Sequence, residues 1–247
     1  MSSIAPLAIQ NVTKIYGTRK VLDGVEISLK AGEIFGLIGL NGVGKTTLIK
    51  IILDLLDAES GSVSLFGESH LAAKSRRHLC YLPEKFQPSP YLKGHEFLRL
   101  AAAYYQLGYR KEDAISLAEK LDLDPAALSQ KIMRYSKGMG QKLGLMSAFM
   151  SKTPLLILDE PMSGLDPKAR VYLKRCMQEY AAAGNSIFFS SHILADMEQI
   201  CDRIAVLHQG RILFTGAAAD FKSRYALKGQ NLEETFLSAI EKLTAAA

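Results

Sequence analysis

Gly39-Leu40-Asn41-Gly42-Val43-Gly44-Lys45-Thr46 follows the spacing G-x-x-x-x-G-K-[ST]. Glycines so placed let the backbone turn its N–H groups inward, forming a concavity that suits phosphate oxygens. The flanking sequence fits that use. Ile34-Phe35-Gly36-Leu37-Ile38 is a continuous apolar run, as expected of a strand buried on both faces. After the loop, Leu48, Ile51, Ile52 and Leu55 keep helical spacing, so a helix points its positive end at the loop. In such a site Lys45 supplies charge to the β- and γ-phosphates and the Thr46 hydroxyl ligates Mg²⁺. A glycine-rich turn without a ligand is the plain alternative, and the strand before it and the helix after it argue against that.

Working outward, short β-branched runs alternate with longer helical stretches, the pattern of a mixed α/β chain. Leu7 to Ile15 and Val25-Ile27-Leu29 alternate like antiparallel strands, with a turn signal at Asp23-Gly24. From near Pro83 to near Ser151 no good strand is legible, and helical patterns run around Phe97–Tyr105, Ala114–Leu121 and Met139–Met150. This stretch reads as a helical insertion at about 89–150, bounded by proline-rich and Ser151–Pro154 punctuation. Buried-strand character resumes at Leu155-Leu156-Ile157-Leu158. A helix bearing Leu173, Cys176, Met177 and Tyr180 then leads to a strand at Ser186–Ser190. Arg203–Leu207 and Arg211–Phe214 read as a closing hairpin. Asn231 and Glu234 form a capping box for a last amphipathic helix with Leu232, Phe236, Ile240 and Leu243. The domain reading is one unit over 1–225 and a C-terminal helix and tail over 226–247.

Two carboxylates, Asp159 and Glu160, close the Leu155 strand. Alone, acids at a strand end are usually just exposed. Beside a phosphate loop they take on another meaning: Asp159 suits the hydrated Mg²⁺, and Glu160, turned differently, suits an attacking water.

Four further stretches make the resemblance specific. Tyr135-Ser136-Lys137-Gly138-Met139, followed by Gly140-Gln141-Lys142, resembles the signature sequence of ATP-binding cassette (ABC) ATPases. Pro161-Met162-Ser163-Gly164-Leu165-Asp166 resembles that family's D-loop, and Ser190-Ser191-His192 its switch histidine. Tyr16 stands where the family keeps an aromatic that stacks on adenine. The match runs in family order from about Leu7 to Gly216. Ser136 and Gly138 also read as a helix N-cap region, and Asp166-Pro167 as a helix start.

The resemblance implies a P-loop NTPase of the α/β class: a RecA-like core, an N-terminal antiparallel β-subdomain and a helical subdomain insertion. It implies ATP and Mg²⁺ as cofactors. The nucleotide-binding residues would be Tyr16, Gly39, Asn41, Gly42, Val43, Gly44, Lys45, Thr46, Thr47, Ser136, Gly138 and Asp166. Metal would be held by Thr46, Glu84 and Asp159, and catalysis carried by Glu160, His192 and Lys45. Two positions depart from the family pattern. Glu84, in Cys80-Tyr81-Leu82-Pro83-Glu84, stands where the family places Gln, and using nearby Gln87 instead would need a three-residue slip. A carboxylate remains an acceptable hard-oxygen ligand. Lys137 stands where the signature has Gly.

Composition limits the alternatives. The 247 residues hold 30 Lys and Arg against 25 Asp and Glu, a mild surplus of five with no basic run interleaved with aromatics, so no nucleic-acid partner is expected. The basic spots at Lys74–Arg77 and Lys168–Lys174 read as solvated faces. Cys80, Cys176 and Cys201 show no CxxC or Cys/His spacing that would suit zinc, and three in a chain of this length exclude a disulfide framework and suit a reducing compartment. No signal peptide and no spanning segment is legible. As the resemblance has it, the expected partners are a second cassette chain, first of all another copy, and a separate integral membrane permease of export type. That would place the chain peripherally on the cytoplasmic face of a membrane. The alternative of another class is a soluble single-cassette ATPase, for instance in cofactor assembly.

Overall fold

The computed structural model describes residues 4–226 and 230–245; residues 1–3, 227–229 and 246–247, within the leader and tail readings, and the Leu243 side chain lie outside the described set. The chain opens with β1 (Leu7–Tyr16) and β2 (Arg19–Leu29), joined at Gly17, whose φ of 58° glycine adopts without steric cost. Then come β3 (Ile34–Ile38), α1 (Lys45–Ile52), β4 (Ser60–Leu65), β5 (Glu68–Ser69) and β6 (Leu79–Leu82). Three helices follow, α2 (Gly94–Tyr104), α3 (Lys111–Lys120) and α4 (Lys137–Met150). The rest alternates: β7 (Leu155–Asp159), α5 (Pro167–Ala182), β8 (Ser186–Ser191), α6 (Leu194–Ile200), β9 (Arg203–His208), β10 (Arg211–Gly216), α7 (Ala218–Tyr225) and α8 (Leu232–Ala245).

Two sheets result. One is antiparallel, in the order β2-β1-β4-β5; the other has the order β10-β9-β3-β8-β7-β6, parallel throughout except for β10 on its edge. Alternation along the parallel strands divides the apolar residues between two cores. Phe35, Leu37, Leu155, Ile157 and Phe188 face α1 and the antiparallel sheet. Ile34, Ile38, Leu156, Leu158, Ile187 and Phe189 face the helices of the opposite layer. Both faces are covered, which is why β3 and β7 read as unbroken apolar runs.

Several details differ from the sequence reading. Asp23-Gly24 is not the hairpin turn but an irregularity inside β2, where the register moves from Val12↔Val25 to Lys14↔Leu22. The extra residue lets the Asp23 N–H donate to the Gly210 carbonyl at 2.8 Å, and its carboxylate meets Lys20 and Arg211. This long-range bonding overrides the local turn preference. Leu55 falls beyond α1 and is exposed, because the helix ends at Ile52 and the chain turns through Asp54 at φ 57°. The basic spots are not merely solvated: Arg76 pairs with Asp54 at 2.9 Å, Lys168 with Asp122 at 2.6 Å and Lys174 with Asp196 at 2.9 Å. The Asn231–Glu234 box is present, each residue's N–H bonded to the other's side chain at 2.9 Å. Among the described residues no helix is long and apolar enough to cross a membrane.

Buried acids in the helical layer give the fold a pH limit. Burial pushes the Cys176 thiol up to about 11 and the Tyr135 and Tyr180 phenols up to about 12. Below about pH 9 these groups are protonated in both folded and unfolded chains. Above it the unfolded chain releases protons that the folded chain retains, so stability falls as pH rises toward the folded values. The melting temperature is therefore expected to decline progressively between about pH 9 and pH 12. A thermal melt series that stays flat across that range would contradict these environments.

Candidate functional site

The C-terminal ends of three neighbouring parallel strands, β3, β7 and β8, deliver the chemistry-bearing side chains to one place. β3 runs into the glycine-rich loop, β7 ends on Asp159 with Glu160 next, and β8 ends on Ser191 with His192 next. A cleft of about 300 Å³ opens there, lined by Leu40, Asn41, Gly42, Gly44, Lys45, Thr46, Thr47, Glu84, Glu160 and His192. The loop conformation requires glycine at position 44. Its φ is 116°, and a Cβ there would lie 3.0 Å from the Val21 carbonyl oxygen and from Leu22.

Within the cleft the polar groups are tightly cross-bonded. Lys45 is 6% exposed, and its ammonium donates to the Gly39 carbonyl at 2.7 Å and lies 3.4 Å from Glu160 Oε1. Thr46 donates to Asp159 Oδ2 at 2.9 Å, and Ser190 donates to Asp159 Oδ1 at 2.5 Å. Glu160 Oε2 bonds His192 Nδ1 at 2.8 Å. Glu160 itself holds φ 49°, a left-handed conformation that costs a non-glycine residue about 1 kcal/mol or more. Its other oxygen, Oε1, is buried with no hydrogen-bond partner.

The excess of carboxylate over lysine or arginine around the cleft, with Asp159, Glu160 and Glu84 against Lys45, fits a site that takes a polyphosphate together with a divalent cation. Among the described residues no cluster of three or more His, Cys, Asp and Glu could hold a metal unaided. Mg²⁺ commonly relies on one or two protein oxygens plus substrate phosphates, which is what Thr46, Asp159 and Glu84 could supply.

The structure brings together most, though not all, of the expected residues. Asn41, Gly42, Gly44, Lys45, Thr46, Thr47, Glu84, Glu160 and His192 share the cleft, with Asp159 directly beneath Thr46. Gly39 takes part through its carbonyl, and Val43 through an N–H donated to Leu40 at 3.4 Å. Tyr16 is half-exposed outside the cleft wall with Lys14 over its ring at 5.5 Å, although its hairpin reaches the loop through Arg19, bonded to the Gly42 carbonyl at 3.4 Å. Ser136 and Asp166 do not line the cleft; each caps a helix, accepting from Met139 N at 3.2 Å and Ala169 N at 2.8 Å. Gly138 is also away from it, beside the Gly164 carbonyl, and the Lys137 stem lies against Gly164.

This arrangement has counterparts among known proteins. Residues 22–163 match the family described as ABC transporter. The chain belongs to the ABC transporter family. An uncharacterised ABC transporter ATP-binding protein of Nostoc sp. is 38% identical over 216 residues, covering 85% of this chain and 64% of that protein. The chain thus spans slightly less than two thirds of that relative's length. Nod factor export ATP-binding protein I of Burkholderia orbicola is 34% identical over 219 residues, 87% of this chain and 72% of that protein. A solved ATP-binding subunit of an ABC transporter superposes with a TM-score of 0.85 at 36% identity, covering 94% of this chain and 98% of the other. The P-loop NTPase fold is thereby established.

Several contacts of this ABC family member had no signal in the sequence. Ser190 bonds Asp159 from the neighbouring strand. Gln141, buried on α4, donates to the Pro161 carbonyl at 3.1 Å and ties the signature helix to the loop after Glu160. Asp196 on α6 pairs with Lys174 at 2.9 Å and Arg170 at 3.6 Å, and Arg170 also donates to the Leu165 carbonyl. Each partner lies 20 or more residues away except Leu165, so only the folded chain shows the pairing.

Proposed function

We propose that this chain binds and hydrolyses Mg²⁺·ATP and, by closing head-to-tail on a second cassette chain, powers a separate membrane permease of export type. The observation that carries the reading is the set Lys45, Thr46, Asp159, Glu160 and His192 at one edge of the sheet, Lys45 and His192 both reaching Glu160 and Thr46 bonded to Asp159. In this reading the backbone N–H groups of residues 42–46 and the α1 N-terminus receive the phosphates. The Lys45 ammonium turns from Glu160 to a phosphate oxygen, releasing the Glu160 carboxylate to orient water and accept its proton. His192, bonded to Glu160, fixes that carboxylate and faces the terminal phosphate. Mg²⁺, held through Thr46 and Asp159 with Glu84 lining the same cleft, would neutralise phosphate charge and align the oxygens.

Tyr16 would stack on adenine from the hairpin. Ser136, Gly138 and Asp166, all outside the cleft in their own chain, would complete the site held by the partner chain. Two like chains related head-to-tail, each lending its signature helix N-terminus to the other, account for residues that carry family motifs yet stand apart from the cleft. The domain division proposed with this is an ATPase unit over 1–225, with the helical part at about 89–150, and a C-terminal helix and tail over 226–247. Support for export comes from the likeness to a Nod factor export ATP-binding protein. The permease would hold the chain at the cytoplasmic face.

Glu160→Gln is isosteric but cannot accept the proton, so ATPase turnover should fall by at least about a hundredfold while ATP still binds. Phosphate-release assays with turnover unchanged would remove Glu160 from the reaction. For the partner, gentle membrane solubilisation of a tagged chain should recover a multi-spanning protein in stoichiometric amount. Recovery with soluble proteins only would instead favour a soluble cassette ATPase.

A further inference from the structure

Ser190 is fully buried at the end of β8, beside Asp159 in the parallel register of β7 and β8. A hydroxyl buried this completely must find partners, and this one finds two. Its O–H donates to Asp159 Oδ1 at 2.5 Å, and its oxygen accepts the Glu160 N–H at 3.1 Å. The Ser190 carbonyl shares that same N–H at 3.2 Å, a three-centre bond. With Thr46 on Oδ2, both oxygens of the buried Asp159 carboxylate accept from hydroxyls.

From this geometry we infer that Ser190 is a positioning residue for the ATPase chemistry, setting the metal-side carboxylate of Asp159 and the backbone of Glu160 at once. The inference rests on the Mg²⁺·ATP reading given above. Without the hydroxyl, the buried Asp159 Oδ1 loses its donor. The carboxylate is then free to rotate away from Thr46, which deprives a hard cation of a correctly placed anionic ligand. Glu160 simultaneously loses one of the two acceptors that hold its N–H, in a residue already at φ 49°. Its side chain, which reaches Lys45 and His192, is then less firmly aimed. A displacement of this kind acts on turnover and metal use, while the phosphate loop, which Ser190 does not touch, still receives nucleotide.

The test compares Ser190→Ala and Ser190→Thr with Ile187→Val, which trims β8 in the core without touching either carboxylate. ATP affinity is measured by calorimetry in EDTA and in Mg²⁺, together with kcat and the Mg²⁺ concentration giving half-maximal turnover. Loss of a hydrogen bond to a charged group predicts, for Ser190→Ala, a fall of about tenfold in kcat and a rise of about tenfold in half-saturating Mg²⁺. ATP affinity in EDTA should stay within about twofold, Ser190→Thr should regain metal dependence, and Ile187→Val should alter only stability. Wild-type metal dependence and turnover in Ser190→Ala, or losses matched by Ile187→Val, would overturn the positioning role, whatever Ser190→Thr does. A wild-type chain that neither binds nor turns over Mg²⁺·ATP would overturn the ATPase reading itself and this role with it.

Discussion

Asp159 ends a strand whose every residue is buried and the buried Glu160 follows it, and two carboxylates there would cost several kcal/mol each unless something met their charge. What meets it is the first turn of α1. Lys45 approaches Glu160 Oε1 and Thr46 donates to Asp159 Oδ2, so the glycine-rich loop is tied to β7 by one ion pair and one hydrogen bond. Ser190 and His192 supply the remaining partners from β8. Three strand ends separated widely in sequence are locked by a single polar cluster. The parallel order that makes them neighbours also directs all of them to the same edge of the sheet.

The two-sided core explains how that edge is held still. Phe35 and Phe188 stack on one face at 5.9 Å, while Ile34, Ile187 and Leu156 pack into the helical layer on the other. With both faces covered, the strands cannot slip by one residue without driving apolar side chains into the wrong core. Glu160 can therefore be kept in a left-handed conformation that an exposed loop would relax. Beyond the cleft, Gln141 ties α4 to the loop after Glu160, and Arg170 and Asp196 tie α5 to α6. The signature helix, the D-loop segment and the element following His192 are thus mechanically joined, although the first two stand away from the cleft.

Legibility in the sequence followed the range of the forces. The phosphate loop was readable because its backbone tolerates few residues besides glycine, and β3 and β7 because complete burial leaves unbroken apolar runs. The caps at Ser136, Asp166 and Asn231 were readable for a similar reason, since each bonds an N–H three residues away. Asp23-Gly24 misled because its local preference for a turn was overridden by a bond to Gly210, far along the chain. The serine-rich β4, exposed at its start and paired with β1, offered only Val63 and Leu65 as alternating apolar positions, too short a pattern to read. Ser190 was legible only as the start of the Ser190-Ser191-His192 stretch, and its bond to Asp159 depends on the register of β7 and β8.

The central claim is that the cleft binds ATP and is completed by a second chain. It is tested most directly by the solution mass of the Glu160→Gln protein, measured by light scattering with ATP, with ADP and without nucleotide. The account predicts 27.1 kDa without nucleotide and with ADP, and twice that mass with ATP. A mass that does not respond to ATP, or a dimer that persists without it, would contradict closure of the site between two chains.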